Sequence, residues 1–137
     1  GARALVVCRG QWSLGNGCWW DAVSAGVRRC VADAAGGSML RSGFVETMRA
    51  VGLAAGASAT KVFKDEWPAF GVVEIDQSLV DHAACLALEH DLRSLDSLHL
   101  AAALLLPSDD LVLATWDRRL RTAARAEGLR LLPGALN

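Results

Sequence analysis

The chain has 137 residues, 53% of them hydrophobic and 21% charged, with a mean hydropathy of +0.28. That is the composition of one folded domain, and it excludes a disordered or solvating segment for most of the length. Lys and Arg number 14 and Asp and Glu 15, a net charge of −1, so no bulk positive field exists to hold a polyanion. A nucleic acid would have to be met by a local patch. Cys8, Cys18, Cys30 and Cys85 form no CxxC pair and no zinc spacing with histidine, which argues against a zinc site and against a disulfide scaffold. The longest oily run, residues 98–106, is interrupted by His99 and is about half of a membrane span. The opening residues lack the apolar stretch of a secretory leader, so the expected compartment is a reducing cytoplasm, with no membrane partner.

Residues 1–45 are unlike the rest: five basic residues, only the acids Asp21 and Asp33, and Trp12, Trp19 and Trp20 beside Gly15 and Gly17. Residues 4–7 are short, apolar and partly β-branched, and read as a buried strand. Residues 20–34 have helical spacing (Trp20, Val23, Val27, Val31), and Gly36-Gly37 is expected to stop that helix. Ser42 is placed to cap a helix carrying Phe44, Val45, Met48 and Val51, ending near Gly52 or Gly56. Residues 58–66 form a shorter helix, closed at Trp67-Pro68 because the residue before proline resists the helical region. A strand follows at residues 71–75. Asp76 then starts a helix to about Glu89, with Leu79, Ala83 and Leu86 on its buried stripe.

The next helix begins at Ser94 or Leu95 and ends at Leu106, before Pro107; its spacing places Leu95, Leu98, Ala102 and Leu105 inward. Leu111–Thr115 is a fully apolar strand, residues 117–127 a helix closed by Gly128, and residues 129–132 a last short strand. Strands alternate with helices, and the strands are continuous apolar runs. The expected fold is α/β, a three-layer arrangement in which helices flank a mostly parallel sheet. Ligands then belong beyond the carboxyl ends of the strands.

Three acids stand where such a sheet would bring chemistry together. Asp96 opens a helix one turn before His99, where a carboxylate also favours the helix dipole. His99 reads better as a structural, hydrogen-bonding histidine than as a base. Asp117 follows an apolar strand in Thr115-Trp-Asp117, delivering a hydroxyl and a carboxylate to the sheet edge, or capping the next helix. Glu46 sits in an apolar helical stretch and should face solvent unless something inside the protein needs it. Carboxylates that converge on one cleft repel one another unless a divalent cation lies between them, and Mg²⁺ or Mn²⁺ takes such oxygen ligands. Arg118, Arg121 and Arg125 share a helical face with Arg119 adjacent, as an RNA phosphate contact, a solvated basic face or a protein docking surface. Gly15 and Gly17 lack the third glycine of a dinucleotide loop, and no P-loop, HExxH or GxSxG motif occurs.

The order Arg93-Ser-Leu-Asp-Ser-Leu-His-Leu-Ala-Ala-Ala, then Leu-Ala-Thr-Trp-Asp-Arg-Arg-Leu, then Gly128-Leu-Arg-Leu-Leu-Pro133 resembles the carboxyl half of PIN-domain ribonucleases, and most of all the VapC toxins of type II toxin–antitoxin modules. The resemblance covers roughly residues 46–133. It implies a single PIN-like domain over residues 1–137, with residues 1–40 atypical, that acts as a Mg²⁺- or Mn²⁺-dependent endoribonuclease. Such proteins are usually homodimers, and a small antitoxin protein neutralises them. It places Asp96, Asp117 and Glu46 in the acidic catalytic and metal site, with Thr115 as the small hydroxyl residue before the last aspartate. Thr115, Arg118 and Arg121 are the candidate substrate contacts.

One departure stands out. The family's opening strand ends in a metal-binding aspartate, whereas here Ala-Leu-Val-Val-Cys8-Arg9-Gly leads to no carboxylate before Asp21. Either the family's opening is not contained in these residues, or residues 1–40 have diverged. The alternative function is therefore a catalytically silent PIN fold that acts only by binding partners such as an antitoxin. Asp21, folding back, is the nearby acid able to substitute.

Overall fold

The computed structural model describes residues 3–7, 36–106, 111–115 and 117–132. The expected helix at residues 20–34, the glycine- and tryptophan-rich stretch, and Cys8, Arg9 and Asp21 lie outside them. In chain order the elements are β1 (Arg3–Val7), β2 (Gly36–Leu40), α1 (Gly43–Ala55), α2 (Ala57–Glu66), a 3₁₀ turn (Trp67–Ala69), β3 (Gly71–Val73), α3 (Gln77–His90), α4 (Ser94–Leu105), β4 (Leu111–Thr115), α5 (Arg118–Ala126) and β5 (Arg130–Leu132).

The strands form a five-stranded sheet in the order β3-β2-β1-β4-β5, and each described pairing is parallel. The chain builds outward from β1 to β3 on one side and then returns to lay down β4 and β5 on the other. That reversal between β1 and β4 is a topological switch point, where open α/β sheets leave a crevice at the carboxyl ends of their strands. Register sets Val7, the last residue of β1, opposite Thr115, the last residue of β4, two positions before Asp117.

β2 corrects the sequence reading. Gly36-Gly37, expected to stop a helix, begins a strand whose Met39 and Leu40 are fully buried. Neighbouring strand residues point to opposite faces. Met39 packs with Phe63, Phe44, Met48, Trp67 and Phe70, whereas Leu40 joins Val73, Leu100, Leu111, Leu113 and Leu120. Two glycines and one serine in five residues conceal this two-sided burial from any hydropathy pattern. β3 is also shorter than the expected 71–75, ending at Val73.

The expected stripe on α4 is the second correction. Leu100 through Ala103, together with Asp96, Ser97 and His99, are the buried residues, whereas Leu105 is 63% exposed. With Leu, Ala, His and Asp on most sides, α4 is enclosed around most of its circumference, so no single stripe describes it. Of the other two expected caps on this part of the chain, one forms and one does not. Asp76 accepts from the Leu79 amide at 2.8 Å to cap α3, and Leu79, Ala83 and Leu86 are its buried residues. Ser42 occupies the cap position of α1, but its hydroxyl makes no capping bond. No described helix is long and apolar enough to cross a membrane.

Candidate functional site

The carboxyl edge of the sheet carries Glu46, in the first turn of α1 just past β2, and Asp117, just past β4. Asp117 is held by several bonds at once. Its amide donates to Thr115 Oγ1 at 3.2 Å, and its Oδ1 accepts from the Leu120 amide at 2.9 Å, capping α5. Its carbonyl accepts from the Arg121 amide at 2.9 Å. The capping role and delivery of a carboxylate to the sheet edge therefore coexist, because the cap engages Oδ1 alone.

Arg121 does not share the solvated face of its neighbours. It is 4% exposed, and its Nη1 donates to the Thr115 carbonyl at 3.0 Å, tying α5 to the end of β4. Burial, with a lesser contribution from the charge of Arg125, pushes its pKa down from the usual arginine value. Arg118, Arg119 and Arg125 are exposed. Thr115 is fully buried, so its hydroxyl orients the Asp117 turn from within.

Glu46 is turned inward after all. Its side chain is 14% exposed, and Oε2 accepts from His99 Nε2, itself 1% exposed, at 2.7 Å. The histidine is the internal group that needs this glutamate, and the bond ties α1 to α4 across 53 residues of chain. Asp96 lies one turn before His99 on α4 and is 2% exposed. Its place in the first helical turn sets its charge against the positive end of the helix dipole. Glu74, near the same edge, is committed to an exposed ion pair with Arg41, whose hydrogen bond holds its carboxyl below the usual glutamate range.

The bond between His99 and Glu46 gives a direct expectation. His99→Leu takes one hydrogen bond from a largely buried carboxylate and should lower stability by about 1.5–3 kcal/mol in urea unfolding. His99→Gln, which keeps a donor, should recover part of that loss. Equal stability of the Leu and Gln variants would show that the bond contributes nothing.

Glu46, Asp96 and Asp117 offer carboxylate oxygens alone, the donor chemistry of a hard divalent ion. Among the described residues their oxygens do not all fall within 4.8 Å of one another; the cluster that does is Glu89, His90 and Glu127, at the other end of α5. Sequence reasoning missed that cluster. His90 and Glu127 are 37 residues apart with no motif spacing, and only the meeting of two helix ends joins them.

No protein-family model matches the chain. Ribonucleases VapC45 and VapC49 of Mycobacterium tuberculosis are each 43% identical to it over 81 residues, 59% of this chain and 56% of the relative. Ribonuclease VapC46 of the same organism is 37% identical over 87 residues, 64% of this chain and 65% of the relative. The chain thus spans little more than half the length of the first two. Among solved structures, PAE2754 from Pyrobaculum aerophilum superposes with a TM-score of 0.67 at 20% identity, over 96% of this chain and 90% of that one. A toxin–antitoxin complex from Klebsiella pneumoniae gives 0.61 at 16% identity, over 98% and 96%. FitAcB from Neisseria gonorrhoeae gives 0.58 at 16% identity, over 96% and 97%. At such identities the structural likeness is one of fold, whereas the likeness to VapC ribonucleases is one of sequence over part of the chain. The resemblance to VapC ribonucleases rests on sequence over part of the chain, and the likeness to PIN-domain structures rests on fold.

Proposed function

We propose that this chain, VapC-like in sequence and PIN-like in fold, is a metal-dependent endoribonuclease and the toxin of a toxin–antitoxin pair. Asp96, Asp117 and Glu46 would hold Mg²⁺ or Mn²⁺. The observation that carries this reading is the placement of Glu46 and Asp117 at the carboxyl edge of one parallel sheet, with the buried Asp96 one helical turn from the histidine that holds Glu46. When bound, such an ion supplies an activated water and charge stabilisation at the scissile phosphate. The protein's own part is orientation. His99 fixes Glu46, and the Leu120 amide fixes Asp117 through Oδ1, leaving Oδ2 for the site. Thr115 and Arg121, both buried, act as positioning residues for the turn that carries Asp117, and exposed Arg118 meets RNA phosphate. The reading includes a single three-layer domain over residues 1–137, a homodimer, an antitoxin partner and a cytoplasmic setting.

A second reading has its own support. β1 is the strand beside the switch point, and its residues Arg3–Val7 contain no carboxylate. A site with fewer acids binds a hard cation less well, since ligand charge tunes that affinity. The chain would then be a silent PIN fold that binds partners only.

One experiment separates the two. The purified chain is incubated with total RNA in Mn²⁺, in Mg²⁺ and in chelator, alongside Asp117→Asn. Divalent-dependent cleavage that is lost in the variant establishes the nuclease. A folded chain that leaves RNA intact in both ions overturns it in favour of the binder.

A further inference from the structure

The last turn of α3 and the end of α5 bring together three side chains that the carboxylate cleft does not use: Glu89, His90 and Glu127. One ligand atom from each lies within 4.8 Å of the other two. His90 Nε2 is 2.6 Å from Glu127 Oε1 and 4.0 Å from Glu89 Oε1. The side chains of His90 and Glu127 are 14% and 26% exposed, whereas that of Glu89 is 65% exposed. Two ligands are thus set into the surface and the third opens to water. Asp117 sits at the opposite end of α5, a helix about 13 Å long, so this cluster and the cleft share no residue.

The backbone around the cluster is pinned. The Leu92 amide donates to the Ala87 carbonyl at 3.1 Å, closing α3 through Asp91 in the left-handed region (φ 50°). The Gly128 amide donates to the Arg125 carbonyl, and the Leu129 amide to the Ala124 carbonyl, each at 3.0 Å, closing α5. Both helices therefore present their carboxyl ends here, and the negative ends of two helix dipoles favour a cation.

The donor set says which cation. One imidazole nitrogen with two carboxylate oxygens suits zinc and its transition-metal neighbours, whereas Mg²⁺ and Ca²⁺ prefer oxygen alone. Zinc holds such atoms at about 2.0–2.2 Å, which sets neighbouring ligands in a tetrahedron about 3.4 Å apart. The observed 2.6 and 4.0 Å lie on either side of that separation, within reach of small side-chain rotations.

We propose that Glu89, His90 and Glu127 form a zinc-class site, with water in the fourth position, that clamps the end of α3 to the end of α5. Without the ion, His90 and Glu127 share a hydrogen bond; with it, the metal takes the place of that hydrogen. None of the ligands is a cysteine, which is why cysteine spacing pointed away from zinc. The site is independent of the nuclease reading. Its occupation would steady the helix whose other end carries Asp117.

Calorimetric titration of the full chain with Zn²⁺ tests it, with cobalt(II) absorption as a second readout. The parent should bind one zinc at this site, melt at a higher temperature with zinc than without, and give the visible bands of tetrahedral cobalt. His90→Gln, which keeps an amide donor toward Glu127, should melt like the metal-free parent, lose the cobalt bands and bind zinc roughly tenfold or more weakly. Glu127→Gln should weaken zinc by a similar factor and serves if the first variant does not fold. Asp65→Asn, which alters an exposed acid on α2 outside both sites, should bind zinc like the parent. The proposal is overturned if the parent binds no zinc, if the His90 and Glu127 variants keep its affinity, or if Asp65→Asn alone removes it.

Discussion

Asp96→Asn is expected to reduce divalent-dependent RNA cleavage by about a hundredfold or more while leaving the fold in place. The substitution keeps the side chain's shape and removes its charge, so at the proposed metal site a strong oxygen ligand becomes a weak one for a hard dication. Asp96 is 2% exposed, so bulk water cannot substitute for it without opening the first turn of α4. Far-UV circular dichroism should stay close to the parent's, because asparagine fills the same space at the start of α4, while the fall in melting temperature corresponds to no more than the roughly 2 kcal/mol that a buried carboxylate gains from the helix dipole. Cleavage at the parent's rate in the same Mg²⁺ would remove Asp96 from the site. A variant that melts much lower yet still cuts RNA would make it a structural carboxylate.

The largest expected effect on stability comes from Leu100→Ala. Leu100 is fully buried on α4 and belongs to the cluster that includes Leu40, Leu111, Leu113 and Leu120, where helix and sheet meet. Truncation leaves a cavity in packing that relaxes only in part, at a cost of about 2–5 kcal/mol. Against a total of roughly 5–15 kcal/mol, that is a large fraction of what keeps the domain folded. Leu105→Ala is the control on the same helix: at 63% exposure it should shift stability by no more than about 0.5 kcal/mol. Urea unfolding of the two variants reads the difference directly. Equal effects would mean that α4 presents the face the sequence spacing suggested, with Leu105 inward.

Periodicity and punctuation alone determined most of the elements. Asp76, Asp117 and Gly128 mark helix ends by local chemistry, a side chain bonding an amide nearby or a backbone at positive φ, and each acts in the structure as its residue type dictates. The α/β class also followed, because continuous apolar strands between helices have few other ways to bury both faces. Asp96, Asp117 and Glu46 were legible as candidates because the motif that carries the first two is nearly contiguous, and because a glutamate in an apolar stretch is conspicuous. What only the tertiary structure decided depends on residues far apart in the chain. β2 was hidden because a strand with two glycines has little hydropathy signal, and its burial comes from neighbours on both faces. Arg121 looked like part of a solvated stripe until β4 placed a carbonyl within reach of its guanidinium. The inward turn of Glu46 toward His99, and the meeting of His90 with Glu127, each join positions dozens of residues apart. Local propensity cannot encode such pairings, because they form only when helix ends from separate segments are packed against one sheet.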